Sequence, residues 1–219
     1  MPIIAPSILT ANFLKLEDEI DMLNQSKADW IHLDIMDGVF VPNISFGFPV
    51  IRQIKSHAKK PLDAHLMIAN ADKYLKEFRD AGVDRLTVHL EACQHLDRTI
   101  SEIINLGMKP GVAVNPHTSL EGLKYILPKL SMVLIMTVNP GFGGQKFIDY
   151  SYDKVHALKD MILKSGSYTL IQVDGGVSKS NIKPLFEAGV DAFVVGNTIF
   201  SSSDPLAMIS DLKEMENLD

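Results

Sequence analysis

Apolar runs of four to seven residues alternate with helix-patterned stretches along this chain, and the alternation repeats eight times. The runs are Ile3–Ser7, Trp30–Met36, Pro61–Met67, Arg85–Leu90, Lys109–Val114, Met132–Val138, Thr169–Asp174 and Ala192–Val195. Apolar residues at three- and four-residue spacing predict helices over Leu16–Leu23, Val50–His57, Ala71–Ala81, His95–Leu106, Leu120–Leu127, Tyr152–Lys164, Asn181–Ala188 and Pro205–Met215. A strand followed by a helix at every step implies a parallel sheet, because a parallel neighbour is reached only by a crossover. Each unit takes roughly 27 residues, near the shortest βαβ length. Eight units predict an α/β fold, a (β/α)8 barrel in which residues 1–219 form a single domain. Its loops must be shorter than those of a typical barrel of about 250 residues. An open, doubly wound sheet is the alternative, but no Gly-x-Gly-x-x-Gly follows the first strand to favour a dinucleotide-binding version.

Composition narrows the partners. The net charge is −6 and no basic block is present, which speaks against nucleic acid and anionic membranes. Cys93 is the single cysteine, so no internal disulfide forms and a reducing compartment is expected. The first residues lack a signal-peptide pattern, and no apolar stretch approaches the ~20 residues that cross a bilayer. The expectation is a cytoplasmic protein.

Barrel active sites lie at the C-terminal ends of the strands. Side chains alternate faces along a strand, so His32, Asp34 and Met36 share one face of Trp30–Met36. Inward parity also gathers Asp63, His65 and Met67, then Thr87, His89 and Glu91, then Leu134, Met136 and Val138, then Gln172 and Asp174. A charge on so apolar a strand needs a partner. Any one of these histidines alone reads as a satisfied core residue, and any one aspartate as a turn cap. His32, Asp34, His65 and Asp174 together, at matching depth on three strands, read as an N2O2 metal site. Such a donor set suits one divalent ion, Zn²⁺ first, with Fe²⁺, Mn²⁺ or Co²⁺ as alternatives. His89 and Glu91 read equally as supports for a metal ligand or as a structural pair. Asp63 reads as structural, and Asp37 as a fixer of the turn with Gly38. The loop Gly38–Pro49 is long enough to cover the site. Met36, Met67 and Met136 fall at strand tips, as core filling or as an apolar lid on the pocket.

Glycine clusters follow three strands: Gly141-Phe142-Gly143-Gly144, Gly175-Gly176 and Gly196-Asn197. Backbone amides in such turns cradle anions, and barrels often bind phosphate there. A phosphorylated substrate is expected. Asp34 and Asp174 end strands that lie across the barrel from each other. One carboxylate could take a proton from a carbon beside a polarised carbonyl while the other returns one on the opposite face. The outcome is inversion at carbon through a metal-stabilised enediolate. Hydrolysis on a metal is the competing chemistry.

The chain resembles the ribulose-phosphate 3-epimerases over essentially its whole length. The matching segments are Ala5-Pro6-Ser7-Ile8-Leu9, His32 to Gly38, Phe40-Val41-Pro42-Asn43, His65-Leu66-Met67, Val138 to Gln145, and Val173-Asp174-Gly175-Gly176. The resemblance implies a barrel of the ribulose-phosphate-binding type. It implies interconversion of D-ribulose 5-phosphate and D-xylulose 5-phosphate in the pentose phosphate pathway. It implies Asp34 as proton acceptor, Asp174 as donor, and His32, Asp34, His65 and Asp174 as metal ligands. Ser7 and His65 would contact the substrate; Gly141, Phe142, Gly143, Gly144, Gly175, Gly176, Gly196 and Asn197 would surround it and its phosphate. Homo-oligomers are the family's usual state. Two positions depart from the pattern: Asn197 where Ser or Thr is frequent, and Val39 where His is frequent. The Asp-x-Lys-x-x-Asp of related decarboxylases is absent, since the matching place reads Asp34-Ile35-Met36-Asp37. Rival readings are an allulose 6-phosphate 3-epimerase, a metal-dependent phosphoesterase, and a non-catalytic phosphate-binding barrel.

Overall fold

Eight parallel strands pair side by side in a computed structural model that describes residues 1–214. They are β1 (Ile3–Pro6), β2 (Ile31–Met36), β3 (Leu62–Met67), β4 (Arg85–His89), β5 (Lys109–Val114), β6 (Met132–Met136), β7 (Leu170–Asp174) and β8 (Ala192–Val195). The order is β1-β8-β7-β6-β5-β4-β3-β2, and a parallel bridge from Ser7 to His32 joins the two ends. The result is the expected (β/α)8 barrel. Every residue of β2, β3 and β6 is buried. A parallel strand covered on one face by helices and on the other by the barrel interior requires that pattern.

The helices are α1 (Leu16–Gln25), α2 (Phe48–His57), α3 (Leu75–Asp80), α4 (Leu96–Asn105), α5 (Ser151–Ser165), α6 (Ile182–Glu187), α7 (Asn197–Phe200) and α8 (Pro205–Glu214). Their apolar faces supply Ile20, Leu23, Ile51, Ile54, Phe78, Ile100, Ile103 and Leu158. These pack on the outward residues of the strands, Leu33, Leu66, Val88, Val112, Val133 and Val173, in one continuous layer. Each such side chain contributes about 1.5–3 kcal/mol relative to leaving it exposed.

The expected helix over Leu120–Leu127 does not form. Two 3₁₀ turns, Leu120–Leu123 and Leu127–Lys129, take its place after β5. Gly122 sits inside that window, where it costs about 1 kcal/mol relative to Ala in a helix interior, and Pro128 follows it directly, which disfavours a helical backbone at Leu127. The expected helix over Ala71–Ala81 is split into a 3₁₀ turn, Ala71–Lys73, and α3. Met215, placed at the end of the last helix by its periodicity, lies outside the described residues. Among the described residues no helix is long and apolar enough to cross a membrane.

Inside the barrel the residues stack in layers. The floor holds Ala5, Trp30, Met132 and Ala192, with the Arg85 guanidinium 4.0 Å from the Trp30 ring centroid. Above it the β5–β6 side is apolar, with Ala113, Leu134, Met136 and Val138. Register sets Asp34 beside His65 beside Thr87, and Met136 beside Asp174 beside Val194. The polar residues therefore converge at one depth near the C-terminal ends of the strands.

Candidate active site

His32, Asp34, His65 and Asp174 meet at that depth. One ligand-type atom from each lies within 4.8 Å of those of the other three. His32 turns Nε2 toward Asp34 Oδ1 at 3.4 Å. His65 turns Nδ1 toward Asp34 Oδ1 at 3.1 Å and Asp174 Oδ2 at 3.6 Å. Both imidazoles are wholly buried, yet His32 Nε2 has no hydrogen-bond partner among the described residues. An orphaned buried nitrogen is costly, and a cation at the centre of the four would satisfy it. Two imidazoles and two carboxylates fit a divalent transition metal rather than Ca²⁺.

The charges are strongly interdependent. Burial works against an ionised Asp34, but His32 and His65 outweigh it and hold its carboxyl far below the usual carboxylate range. Burial and the nearby Asp34 push Asp174 the other way, upward. Burial opposes protonation of His32, but Asp34 and Asp63 more than offset it and raise its pKa well above the ordinary value. His65 is raised for the same reason, by Asp174 and Asp34 against burial. Two carboxylates driven in opposite directions are what an acid and base pair needs.

Each member of the cluster is held from behind. Ser7 donates its hydroxyl to Asp34 Oδ2 at 2.5 Å, so Asp34 is gripped on the oxygen that faces away from the imidazoles. Asp63, read from the sequence as merely structural, lies 2.9 Å from His32 Nδ1 and accepts from Gln172 Nε2 at 2.8 Å. It orients a ligand candidate. His65 Nε2 lies 2.8 Å from His89 Nε2, and His89 Nδ1 lies 3.1 Å from Glu91 Oε2. The structure thus favours the supporting role for His89 and Glu91. Burial lowers His89 to about 4 even with Glu91 beside it. Burial opposes ionisation of Glu91, but His89, Thr118 and the Asn115 amide overcome it and bring Glu91 to about 2. β4 ends at His89, so Glu91 stands in the 3₁₀ turn Leu90–Ala92 rather than on the strand. Asp37 fixes the turn as expected, accepting from the amides of Val39, Phe40 and Ala69.

Above the cluster opens a cavity of about 250 Å³, sized for a small metabolite rather than a dinucleotide. Ser7, Asp34, Asp174, Met36, Met67 and Met136 form its base and walls; Gly141, Phe142, Gly143, Gly144, Gly175, Gly176, Gly196 and Asn197 form its rim. His32 and His65 lie beneath it. The loop 38–49 folds over the mouth. Val41 packs with Met36 and Met67, and Asn43 Nδ2 donates to Gly141 O at 2.9 Å. The rim is tight because it is glycine. Gly176 has φ +67°, and a Cβ there would sit 2.6 Å from Phe147 N. A Cβ on Gly144 would sit 2.6 Å from Asn197 Nδ2, so the Asn197 side chain reaches across the rim. Val39 is 76% exposed. Thr10, Ser178 and Thr198 also line the cavity and were not singled out from the sequence. Hydroxyl residues beside Ser7 and the glycine turns are the signal that could have found them.

The model of the ribulose-phosphate 3 epimerase family matches residues 3–200. The ribulose-phosphate 3-epimerase of Synechocystis sp. (strain ATCC 27184 / PCC 6803 / Kazusa) is 46% identical over 91% of this chain and 88% of its own length. That of Bacillus subtilis (strain 168) is 44% identical over 96% of this chain and 97% of its own. The chloroplastic ribulose-5-phosphate-3-epimerase of Arabidopsis thaliana is 42% identical over 96% of this chain and 76% of its own. Among solved structures, KGPDC from Streptococcus mutans superposes with a TM-score of 0.75 at 16% identity, covering 98% of this chain and 97% of that one. The tryptophan synthase α-subunit of Pyrococcus furiosus superposes at 0.70 with 17% identity, over 98% of this chain and 96% of that one. At such identities the two structures speak to the barrel alone.

Proposed function

The chain belongs to the ribulose-phosphate 3-epimerase family and is an isomerase, and from that premise we propose that it interconverts D-ribulose 5-phosphate and D-xylulose 5-phosphate by proton transfer at C3 between Asp34 and Asp174. The observation that carries this reading is the convergence of Asp34, Asp174, His32 and His65 within 4.8 Å beneath a glycine-rimmed cavity. Asp34, kept ionised by His32 and His65, is the proton acceptor. Asp174, raised toward protonation by burial and by Asp34, is the donor on the opposite face. In the reverse direction the two exchange roles. Ser7 holds Asp34 in place through Oδ2. The amides of the Gly141–Gly144, Gly175–Gly176 and Gly196–Asn197 turns bind the phosphate, and the methionines exclude water from the reacting carbon.

His32, Asp34, His65 and Asp174 would hold one divalent ion, with Zn²⁺ the first candidate. Bound there, it would polarise the ketose carbonyl and spread the negative charge left when C3 loses its proton. The continuous eight-stranded sheet supports a single barrel domain. A homo-oligomer, as the resemblance implies, and a cytoplasmic setting complete the reading, and sedimentation of the purified chain tests the first.

The test is turnover of D-ribulose 5-phosphate in deuterium oxide. Epimerisation with deuterium entering at C3 is the expected result. Phosphate release without exchange would replace this reading with that of a phosphoesterase. A higher kcat/KM on D-allulose 6-phosphate would move the substrate to a hexulose.

A further inference from the structure

The two imidazoles present different nitrogens to the same centre. His32 offers Nε2 and commits Nδ1 to Asp63 Oδ2 at 2.9 Å. His65 offers Nδ1 and commits Nε2 to His89 Nε2 at 2.8 Å. Two ring nitrogens facing each other at hydrogen-bond distance must be one donor and one acceptor. Which is which is decided farther out. Glu91 Oε2 accepts from His89 Nδ1 at 3.1 Å, so the proton of His89 sits on Nδ1 and its Nε2 carries a lone pair. The proton between the two rings therefore belongs to His65 Nε2. That makes Nδ1 the nitrogen from which His65 gives up a proton when its ring is neutral, so that its lone pair can face a cation held between Asp34 and Asp174.

Glu91 is itself fixed. Its Oε1 accepts the Asn115 amide at 2.8 Å and the Thr118 hydroxyl. The Asn115 amide cannot reverse its role, so Glu91 cannot rotate to offer anything but an acceptor to His89. Lys154 grips the same loop from outside, donating to Asn115 O at 2.6 Å and Pro116 O at 3.2 Å. His89 is wholly buried, and the Phe40 ring packs against it with centroids 4.6 Å apart.

We infer that His89 and Glu91 are positioning residues that impose on His65 the tautomer whose Nδ1 faces the cluster, while Asp63 imposes the opposite tautomer on His32. The inference deepens the metal reading and rests on it. Neither His89 nor Glu91 is among the four clustered ligand candidates, and neither lines the cavity. They act through His65, by fixing in advance the ring orientation and the direction of the lone pair.

The informative variant is Glu91→Gln. Its carbonyl oxygen must stay with the Asn115 amide, so its NH2 group turns to His89 Nδ1. That reverses every donor along the row and places the proton on His65 Nδ1, facing the centre. Two measurements on the full chain read this out. Competition with a chelator gives the Kd for Zn²⁺, and Glu91→Gln is expected to weaken binding about 10–100-fold, the usual cost of losing such a partner. Lys154→Met, which loosens the same loop but leaves the Glu91, His89 and His65 contacts in place, is expected to stay within about twofold. Imidazole ¹⁵N shifts of the unsubstituted, metal-free protein are expected to show a protonated Nε2 on His65 and a lone-pair Nε2 on His89. This second measurement needs no variant to fold. The opposite assignment, or equal Zn²⁺ affinity in Glu91→Gln and the parent, overturns the positioning role. Failure of the parent to bind Zn²⁺, Fe²⁺, Mn²⁺ or Co²⁺ at all is a different result: it removes the metal reading beneath it.

Discussion

The mouth of this barrel is built in two unlike halves. The β2–β4 side works with side chains: His32, Asp34, Asp63, His65 and His89, with Glu91 behind them, form a row linked by hydrogen bonds and close contacts. The β6–β8 side works by their absence: Gly141, Gly143, Gly144, Gly175, Gly176 and Gly196 bare the backbone around the cavity. The first half sets proton positions and charge. The second shapes space and presents amides. Damage to the first should therefore appear in turnover and metal affinity, and damage to the second in substrate affinity. Asp174 stands where the halves meet, at the end of β7 and against His65.

The sharpest break is Asp174→Asn, which removes one proton carrier while keeping its volume. Turnover should fall by about 10²–10⁴-fold, the usual share of a general acid or base, while the Kd for substrate phosphate changes far less. Steady-state kinetics beside a binding titration checks this, and normal turnover would remove Asp174 from the chemistry. Next comes Asp63→Asn, which should weaken Zn²⁺ binding about 10–100-fold by releasing His32; an unchanged Kd would return Asp63 to a purely structural role. On the glycine side, Gly176→Ala forces a Cβ to 2.6 Å from a backbone nitrogen at φ +67°. It should raise KM more than it lowers kcat and cost about 1–3 kcal/mol of stability, readable from denaturant unfolding. A fall in kcat with KM unchanged would blur the division between the halves.

Protonation gives a smaller, graded test. Without metal, the raised pKa values of His32 and His65 mean that their carboxylate contacts stabilise fully below about pH 6.5 and fade as pH rises through those values. Metal needs neutral imidazoles, so its stabilisation grows over the same range. The Tm gap between Zn²⁺-loaded and metal-free protein should widen from pH 6 to pH 9; a gap that narrows would contradict the charge arrangement. The smallest expected effect is that of Val39→His, which introduces the residue that the family resemblance leads one to expect there. Its side chain stands in solvent, so stability should move by no more than about 0.5 kcal/mol and kcat/KM hardly at all.

Much of this was legible because strand parity is a local property. His32, Asp34, His65 and Asp174 alternate with residues that must face the helices, and each strand alone decides which way they point. The glycine clusters were legible as breaks after three of the runs. The helix expected after β5 does not form: its periodicity outweighed Gly122 and the Pro128 that follows, and the stretch folds into two 3₁₀ turns. The part of Asp63 was missed because its partners, His32 and Gln172, are 31 and 109 residues away. The polarity of the His65–His89 pair was equally hidden, since it is set by Glu91 through an amide on the next loop.

Alternation of apolar and helical stretches determined the barrel, and parity along its strands determined which side chains face inward, because both follow from backbone geometry within a few residues. Which nitrogen of each imidazole faces the centre, and which carboxylate stays ionised, was decided only by the closed sheet. Those choices depend on hydrogen bonds and charges a few ångströms apart in space but tens of residues apart in the chain. No local pattern encodes a distance that only closure of the barrel creates.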